Sequence, residues 1–297
     1  MEQKKNVALV LSSGGARGMA HIGVIDALLA QGFNITSISG TSVGALIGAF
    51  HASGDLQAYK KWILNLDKFD LFKLFDFTFS TQGFIKGEKV FNELKKFILD
   101  KKIEELSIPF TAISTDIRHQ KEVVIDKGSM YDAIRASVSI PTVLTPLYKD
   151  DMELIDGGVM NPLPINRITR TEGDILVVVN VSAKEGHSPA KPTPQERSSY
   201  LKSINNFFES WSKYLPGTAK VEKKLGYFDL MNRSIDLMQD KIIEHTVEKF
   251  RPDIMVNISK NACSTFEFYR AGDLISTGKK AFEIEYKKYL SKEGNDN

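Results

Sequence analysis

At 297 residues, 42% hydrophobic and 26% charged, the chain has an ordinary globular composition and enough length for one large α/β core with an elaborated surface. A formal net charge of +2 gives no global argument for a nucleic-acid partner. The single cysteine, Cys263, rules out an internal disulfide framework and a cysteine cluster for zinc or iron–sulfur ligation, and no stretch approaches the roughly 20 apolar residues that cross a bilayer.

The first element is "NVALVLSS", a continuous β-branched and aliphatic run that stops at turn-forming residues, the pattern of a fully buried strand. Its apolar part, Val7 to Leu11, is too short for a signal peptide and leads straight into a glycine loop, so the expectation is a soluble, cytoplasmic protein. From Met19 to Gln31, Ile22, Ile25, Leu28 and Leu29 fall at helical spacing and Gly32 closes the helix. "FNITSIS" reads as a second strand, followed by the turn "GTSVG" and a helix from about Val43 to Ala52. Strand, helix, strand, helix is the rhythm of a parallel sheet covered on both faces.

Further strands are expected at 109–115, 121–126, 152–156 and 174–182, with "SMYDAIRAS" between them as a helix that Ser129 caps. The Pro-rich connector "HSPAKPTPQE", residues 187–196, precedes a helical region of about fifty residues. Residues 187–250 therefore read as an insertion or cap on one domain spanning 5–290. The strand "DIMVNI", an amphipathic helix near 271–290 and a disordered tail at 291–297 complete the chain.

Three features bear on chemistry. Gly14, Gly15, Ala16, Arg17 and Gly18 form a loop between the first strand and the first helix, where glycines permit close approach and a helix N-terminus offers free N–H groups. Two readings stand: an anion hole, for a phosphate or for the oxyanion of an acyl intermediate, or a plain tight turn. No G-K-[S/T] follows, so it is not a Walker loop, and the first glycine of a dinucleotide fingerprint would fall on Ser13. The second feature is Gly40, Ser42 and Gly44, a G-x-S-x-G turn from strand to helix. That pattern arises by accident about 0.1 times in a chain this long, and its spacing fits a nucleophile elbow and a structural turn equally.

The third feature is the base that such a serine needs. His21 and His51 fall in the two early helices, His119 in a hairpin turn, His187 in the Pro-rich connector and His245 in a helix; none follows a strand as a triad histidine usually does. "MELIDGGVMNPLP" puts Asp156 at a strand end, followed by Gly157 and Gly158. In a parallel sheet the C-terminal strand ends share one edge, which would bring Asp156 to Ser42. Asp-Gly is also a common turn pair. An aspartate at about 3.9 is a poor base, and burial beside the serine would raise it into a useful range.

In their order, "SSGGARG", "GTSVG" and "DGG", with the segment "AIRASVSIPTVLTP" between the last two, resemble the patatin-like phospholipases, in particular the bacterial branch similar to neuropathy target esterase. The resemblance covers residues 7–182 and, more weakly, the C-terminal helix. It implies a three-layer α/β/α fold with a mainly parallel central sheet and a helical C-terminal cap or insertion. It implies acyl-ester hydrolysis by a Ser-Asp dyad without histidine, metal or cofactor, on phospholipid, lysophospholipid or related fatty-acyl esters. Ser42 would be the nucleophile and Asp156 the base. Gly14, Gly15, Ala16 and Arg17 would form the oxyanion loop through backbone N–H groups, the Arg17 side chain shaping it, with Gly18, Gly40, Gly44, Gly157 and Gly158 supporting the motifs. The commonest family form has glycine where this chain has Ser13, and "DGG" replaces the frequent "DGA".

Two rivals remain: a triad α/β-hydrolase using His187 or His245, and an inactive domain that binds acyl chains or a protein partner. Phe69, Phe72 and Phe75 fall three residues apart within a stretch rich in Phe and Leu, which suits a helix packed on the core or the wall of an acyl-chain pocket. Residues 200–225 set Tyr200, Phe207, Phe208, Trp211 and Tyr214 beside Lys220, Lys223 and Lys224, which suits peripheral membrane contact or an ordinary cap.

Overall fold

The computed structural model describes residues 5–67, 70, 74, 77–80, 83–85, 88–96, 100–141, 143–189 and 227–293. The expected membrane-contact segment at 200–225 lies outside the described residues, as do Phe69, Phe72 and Phe75. Among the described residues no helix is long and apolar enough to cross a membrane.

The first parallel unit forms as its sequence requires. Strand β1 (Asn6–Leu11) passes through a 3-10 turn (Gly15–Gly18) into helix α1 (Met19–Ala30), and Gly32, at φ 78°, lets the chain return as β2 (Asn34–Thr41). Helix α2 (Val43–Ser53) leaves β2 within one residue, and α3 (Leu56–Asn65) follows. A short antiparallel pair, β3 (Phe77–Ser80) with β4 (Gly83–Ile85), precedes α4 (Glu88–Lys95), so Phe77, Phe79 and Phe84 belong to strands.

Next come β5 (Phe110–Asp116), β6 (Lys121–Ile125), α5 (Met130–Ser137), β7 (Leu147–Lys149), β8 (Met152–Asp156) and β9 (Ile175–Ala183). As expected, Ser129 caps α5, accepting from the Asp132 amide. The chain closes with α6 (Tyr227–Phe250), β10 (Ile254–Ser259) and α7 (Ala271–Glu293). Helix α7 extends three residues past the expected 290, so residues 291–293 are helical and not part of a tail.

Strands β10, β9, β1, β2 and β5 are parallel neighbours in that order. One face carries the main core, where α1, α2, α3 and α7 bury Met19, Ile22, Phe50, Tyr59 and Phe282 against the sheet. The other face carries a smaller core of Ala8, Val10, Leu163, Ile165, Leu176, Val178 and Ile243, the last from α6. These layers make the fold a mainly parallel sheet between helices, as the motif order implied.

One expectation is corrected. β8 does not run parallel to β2: it pairs antiparallel with β5 through Ser114↔Asp156 and Asp116↔Leu154. Pairing fixes where it lies. Residues Ala112–Asp116 of β5 pair with β6 along one edge, while Phe110–Ile113 pair with β2 and Ser114–Asp116 with β8. A strand has only two edges, so β2 and β8 occupy the same edge of β5 end to end. They run toward each other and their C-terminal ends meet.

Candidate active site

The meeting of β2 and β8 brings Ser42 and Asp156 together. Ser42 follows the last residue of β2 with φ 56° and ψ −125°, a conformation that costs a side-chain-bearing residue roughly 1–3 kcal/mol. The turn is held open by its neighbours. A Cβ on Gly44 would lie 2.2 Å from the Leu11 carbonyl oxygen, and one on Gly40 would lie 2.5 Å from the Gly44 carbonyl oxygen. The Ser42 amide donates to Ser137 Oγ at 2.8 Å, and that hydroxyl donates to the Ile113 carbonyl at 2.6 Å. Thr41 Oγ1 donates to the Asn161 carbonyl at 2.8 Å, tying the end of β2 to the segment after Asp156.

Ser42 stands at the N-cap of α2, where a serine hydroxyl usually accepts from the first helical turn. Here it makes no capping bond and donates instead to Asp156 Oδ2 at 2.5 Å. The other carboxylate oxygen, Oδ1, accepts from the Gly158 amide at 2.7 Å, and the Asp156 amide donates to the Ser139 carbonyl at 2.9 Å. Burial raises the Asp156 carboxyl to about 6, against the lowering effect of the bonds from Ser42 and Gly158. It is therefore mostly ionised at pH 7 while remaining far more basic than a surface aspartate.

Both histidines of the triad rival are engaged elsewhere. His187 Nε2 meets Glu285 at 3.3 Å, and His245, on α6, is 77% exposed beside Glu248. His21 is buried beneath the glycine loop, with Nε2 at 3.0 Å from the Ser12 carbonyl, and burial lowers it to about 4. None of these bonds involves Ser42.

The glycine loop is smaller as a donor set than expected. Gly15 has φ 57°, and a Cβ there would lie 2.7 Å from the Thr265 carbonyl oxygen. The Ala16 amide donates to that same carbonyl at 2.9 Å, so Ala16 is corrected from a free oxyanion donor to a loop anchor. Arg17 follows within the 3-10 turn. Its side chain braces the loop: Nε donates to the Val181 carbonyl at 2.8 Å, and the guanidinium also reaches Ser182 Oγ and the Cys263 and Lys260 carbonyls. Among the described residues no acceptor meets the Gly14 or Gly15 amide. Val43, the first residue of α2, lines the cavity and carries a first-turn amide that the helix itself does not use; its signal in the sequence is its position directly after the serine of the turn.

Ser42 opens into an apolar cavity of about 130 Å³. Gly15 and Val43 line its reactive end, and the walls come from Leu46 of α2, Tyr59, Trp62 and Ile63 of α3, Leu74, and Val90, Phe91 and Leu94 of α4. The segment after α5 adds Val138, Ile140, Val143 and Leu144, and Phe266 and Phe268 complete the lining. Apart from Leu74, the expected phenylalanine stretch contributes no described wall residue. The signal for the actual walls was the spacing of Tyr59, Trp62 and Ile63 along α3 and of Val90, Phe91 and Leu94 along α4.

Residues 9–168 match the patatin-like phospholipase family. An uncharacterized NTE family protein of Mycobacterium tuberculosis is 31% identical over 94% of this chain and 92% of its own length. The human patatin-like phospholipase domain-containing protein 6 is 30% identical over 73% of this chain, which spans only 16% of that protein. Lysophospholipase NTE1 of Kluyveromyces lactis is 28% identical over 76% of this chain and 16% of its own length. Among solved structures, VipD from Legionella pneumophila aligns with a TM-score of 0.44 at 14% identity, over 95% of this chain and 67% of that one. With the family matched over more than half its length, this chain belongs to the patatin-like phospholipases, a family of lipid hydrolases.

Proposed function

We propose that this protein is a serine acyl-ester hydrolase of phospholipase A or lysophospholipase type, with Ser42 as nucleophile and Asp156 as general base. The observation that carries the reading is the 2.5 Å bond from Ser42 Oγ to a buried carboxylate, at the mouth of an apolar cavity. Attack of Oγ on an ester carbonyl transfers the hydroxyl proton to Asp156 Oδ2, and the carbonyl oxygen becomes an oxyanion. The Gly14, Gly15 and Val43 amides are the donors available to it, and one such donor is typically worth about 3–4 kcal/mol. The alcohol or lysolipid leaves with the proton held by Asp156. Water then attacks the acyl-enzyme and gives a proton to Asp156; as the tetrahedral intermediate collapses, Ser42 Oγ takes that proton from Asp156 and the fatty acid leaves, which returns both residues to their starting state.

The apolar walls favour a fatty-acyl chain over a polar acyl group, since apart from Ser42 only Tyr59 and Trp62 bring a polar side-chain atom to the described lining and the other lining residues are aliphatic, phenylalanine or glycine. The name of the Kluyveromyces lactis relative, a lysophospholipase, supports the same substrate class. Incubating wild type and Ser42→Ala with lysophospholipids, phospholipids and p-nitrophenyl esters of graded chain length tests the reading. Fatty-acid release that rises with chain length and falls at least about a thousandfold in Ser42→Ala is expected. Release that survives the substitution would assign the chemistry to another residue.

A further inference from the structure

Helix α6 lies within the region expected to be an insertion or cap, yet its inward face touches the turn after Asp156 and reaches the glycine loop through Lys260. Gln239 Nε2 donates to the Gly158 carbonyl at 2.9 Å, and the Gly158 amide is the donor that holds Asp156 Oδ1. The adjacent Asp240, 8% exposed, pairs with Lys260 at 2.9 Å, and the Lys260 carbonyl accepts from the Arg17 guanidinium that braces the glycine loop. One turn earlier, Asp236 acts on that guanidinium through space. One turn later, Ile243 is buried in the smaller core and fixes the helix to the sheet. Positions 236, 239, 240 and 243 share one helix face, so a single stripe joins the core to the base turn and to the oxyanion loop.

We propose that Gln239 is a positioning residue for the Ser42–Asp156 pair: it fixes Gly158, and through the Gly158 amide it fixes the rotation of the Asp156 carboxylate. The inference rests on Asp156 being the general base. Gly158 needs an external hold because it is a glycine followed by two exposed residues, Val159 and Met160. Its lack of a side chain is also what admits the contact, since a Cβ at 158 would lie 2.9 Å from Gln239 Nε2, 3.0 Å from Asp156 Oδ1 and 3.3 Å from Ser13 Cβ. Among the described residues no charged side chain shifts Asp156: burial, the Ser42 hydroxyl and the Gly158 amide set its basicity. Release of Gly158 removes the one backbone donor that opposes burial.

The test is the pH dependence of ester hydrolysis by the full chain carrying Gln239→Met, which keeps the side-chain length and removes the donor. The expected result is a fall in kcat of about 10- to 100-fold, KM within about twofold of wild type, and an acid limb displaced upward from its wild-type position. Gln239→Asn, too short to reach Gly158, should behave in the same way if the Met variant folds poorly. Leu237→Ala, a 65% exposed position on the same helix, should match wild type. A folded Gln239 variant with unchanged kcat and an unchanged acid limb overturns the positioning role. Wild-type protein without Ser42-dependent hydrolysis would instead overturn the function on which the role depends.

Discussion

Ser42 arrives at the site on a parallel unit made of neighbouring sequence, whereas Asp156 arrives on an antiparallel strand that enters from the opposite side of the sheet. The Ser42 half is set by backbone packed on backbone: Gly44 lies against the Leu11 and Ser12 carbonyls, and Gly40 against Gly44 itself. The Asp156 turn combines two kinds of contact: Gly157 lies against the Ile113 carbonyl, while Gly158 rests beside Gln239 Nε2 and the Asp156 carboxylate. One half is therefore held by local backbone packing, and the other by backbone packing together with a side chain from a distant helix. The strained Ser42 sits in the first half, where close packing holds it, and Asp156 sits in the second.

Paired glycine substitutions sharpen the contrast most strongly. Gly44→Ala puts a methyl group within 2.2 Å of the Leu11 carbonyl and should cost about 3 kcal/mol or more, seen as a large fall in Tm or as insoluble protein. Gly158→Ala should fold and lose activity instead, because the two nearest groups it meets, Gln239 Nε2 and Asp156 Oδ1, are side-chain ends that can shift; equal losses of stability in the two variants would erase the distinction. Next in size is the pH effect. With Asp156 raised to about 6, kcat/KM should fall about tenfold per pH unit below that value and level off above it. A profile flat down to pH 4.5 would mean that the base is some other group.

The smallest effect concerns stability. Because folding raises this carboxyl from 3.8 to about 6, its ionised form destabilises the protein. The cost is absent below about pH 4, where both states are protonated, grows as pH rises toward 6, and is complete above it. Asp156→Asn removes the charge, so its Tm should exceed that of wild type at pH 8 by an amount corresponding to at most about 3 kcal/mol, and the gain should shrink toward pH 4. A gain that is larger at pH 4 than at pH 8 would contradict the assigned direction.

The two halves also differed in how well the sequence announced them. Val7–Leu11, the glycine loop, helix α1 and the elbow at Ser42 form one β-α-β unit, where hydrophobic period and turn chemistry suffice to give the geometry. "MELID" was legible as a strand carrying Asp156, but its direction was not, because period alone does not say which way a strand runs. The missing signal was "KDDM": Asp150 and Asp151 adopt φ 48° and 62° between Lys149 and Met152, a two-residue turn that makes β7 and β8 a hairpin and β8 antiparallel. The cavity walls were hidden for a different reason. The apolar stripes of α3 and α4 are plain in sequence, but which stripe borders a cavity depends on how helices from distant segments pack. The bond from Gln239 to Gly158 spans 81 positions and has no local signature.

In the proposed reaction Asp156, and no histidine, activates Ser42. The direct measurement is the rate of Ser42 labelling by a fluorophosphonate at pH 7.5 in wild type, Asp156→Asn, His187→Ala and His245→Ala. A fall of about a thousandfold in Asp156→Asn, with both histidine variants within about twofold of wild type, is the predicted result. Near-normal labelling of Asp156→Asn, or a comparable fall in either histidine variant, would contradict it.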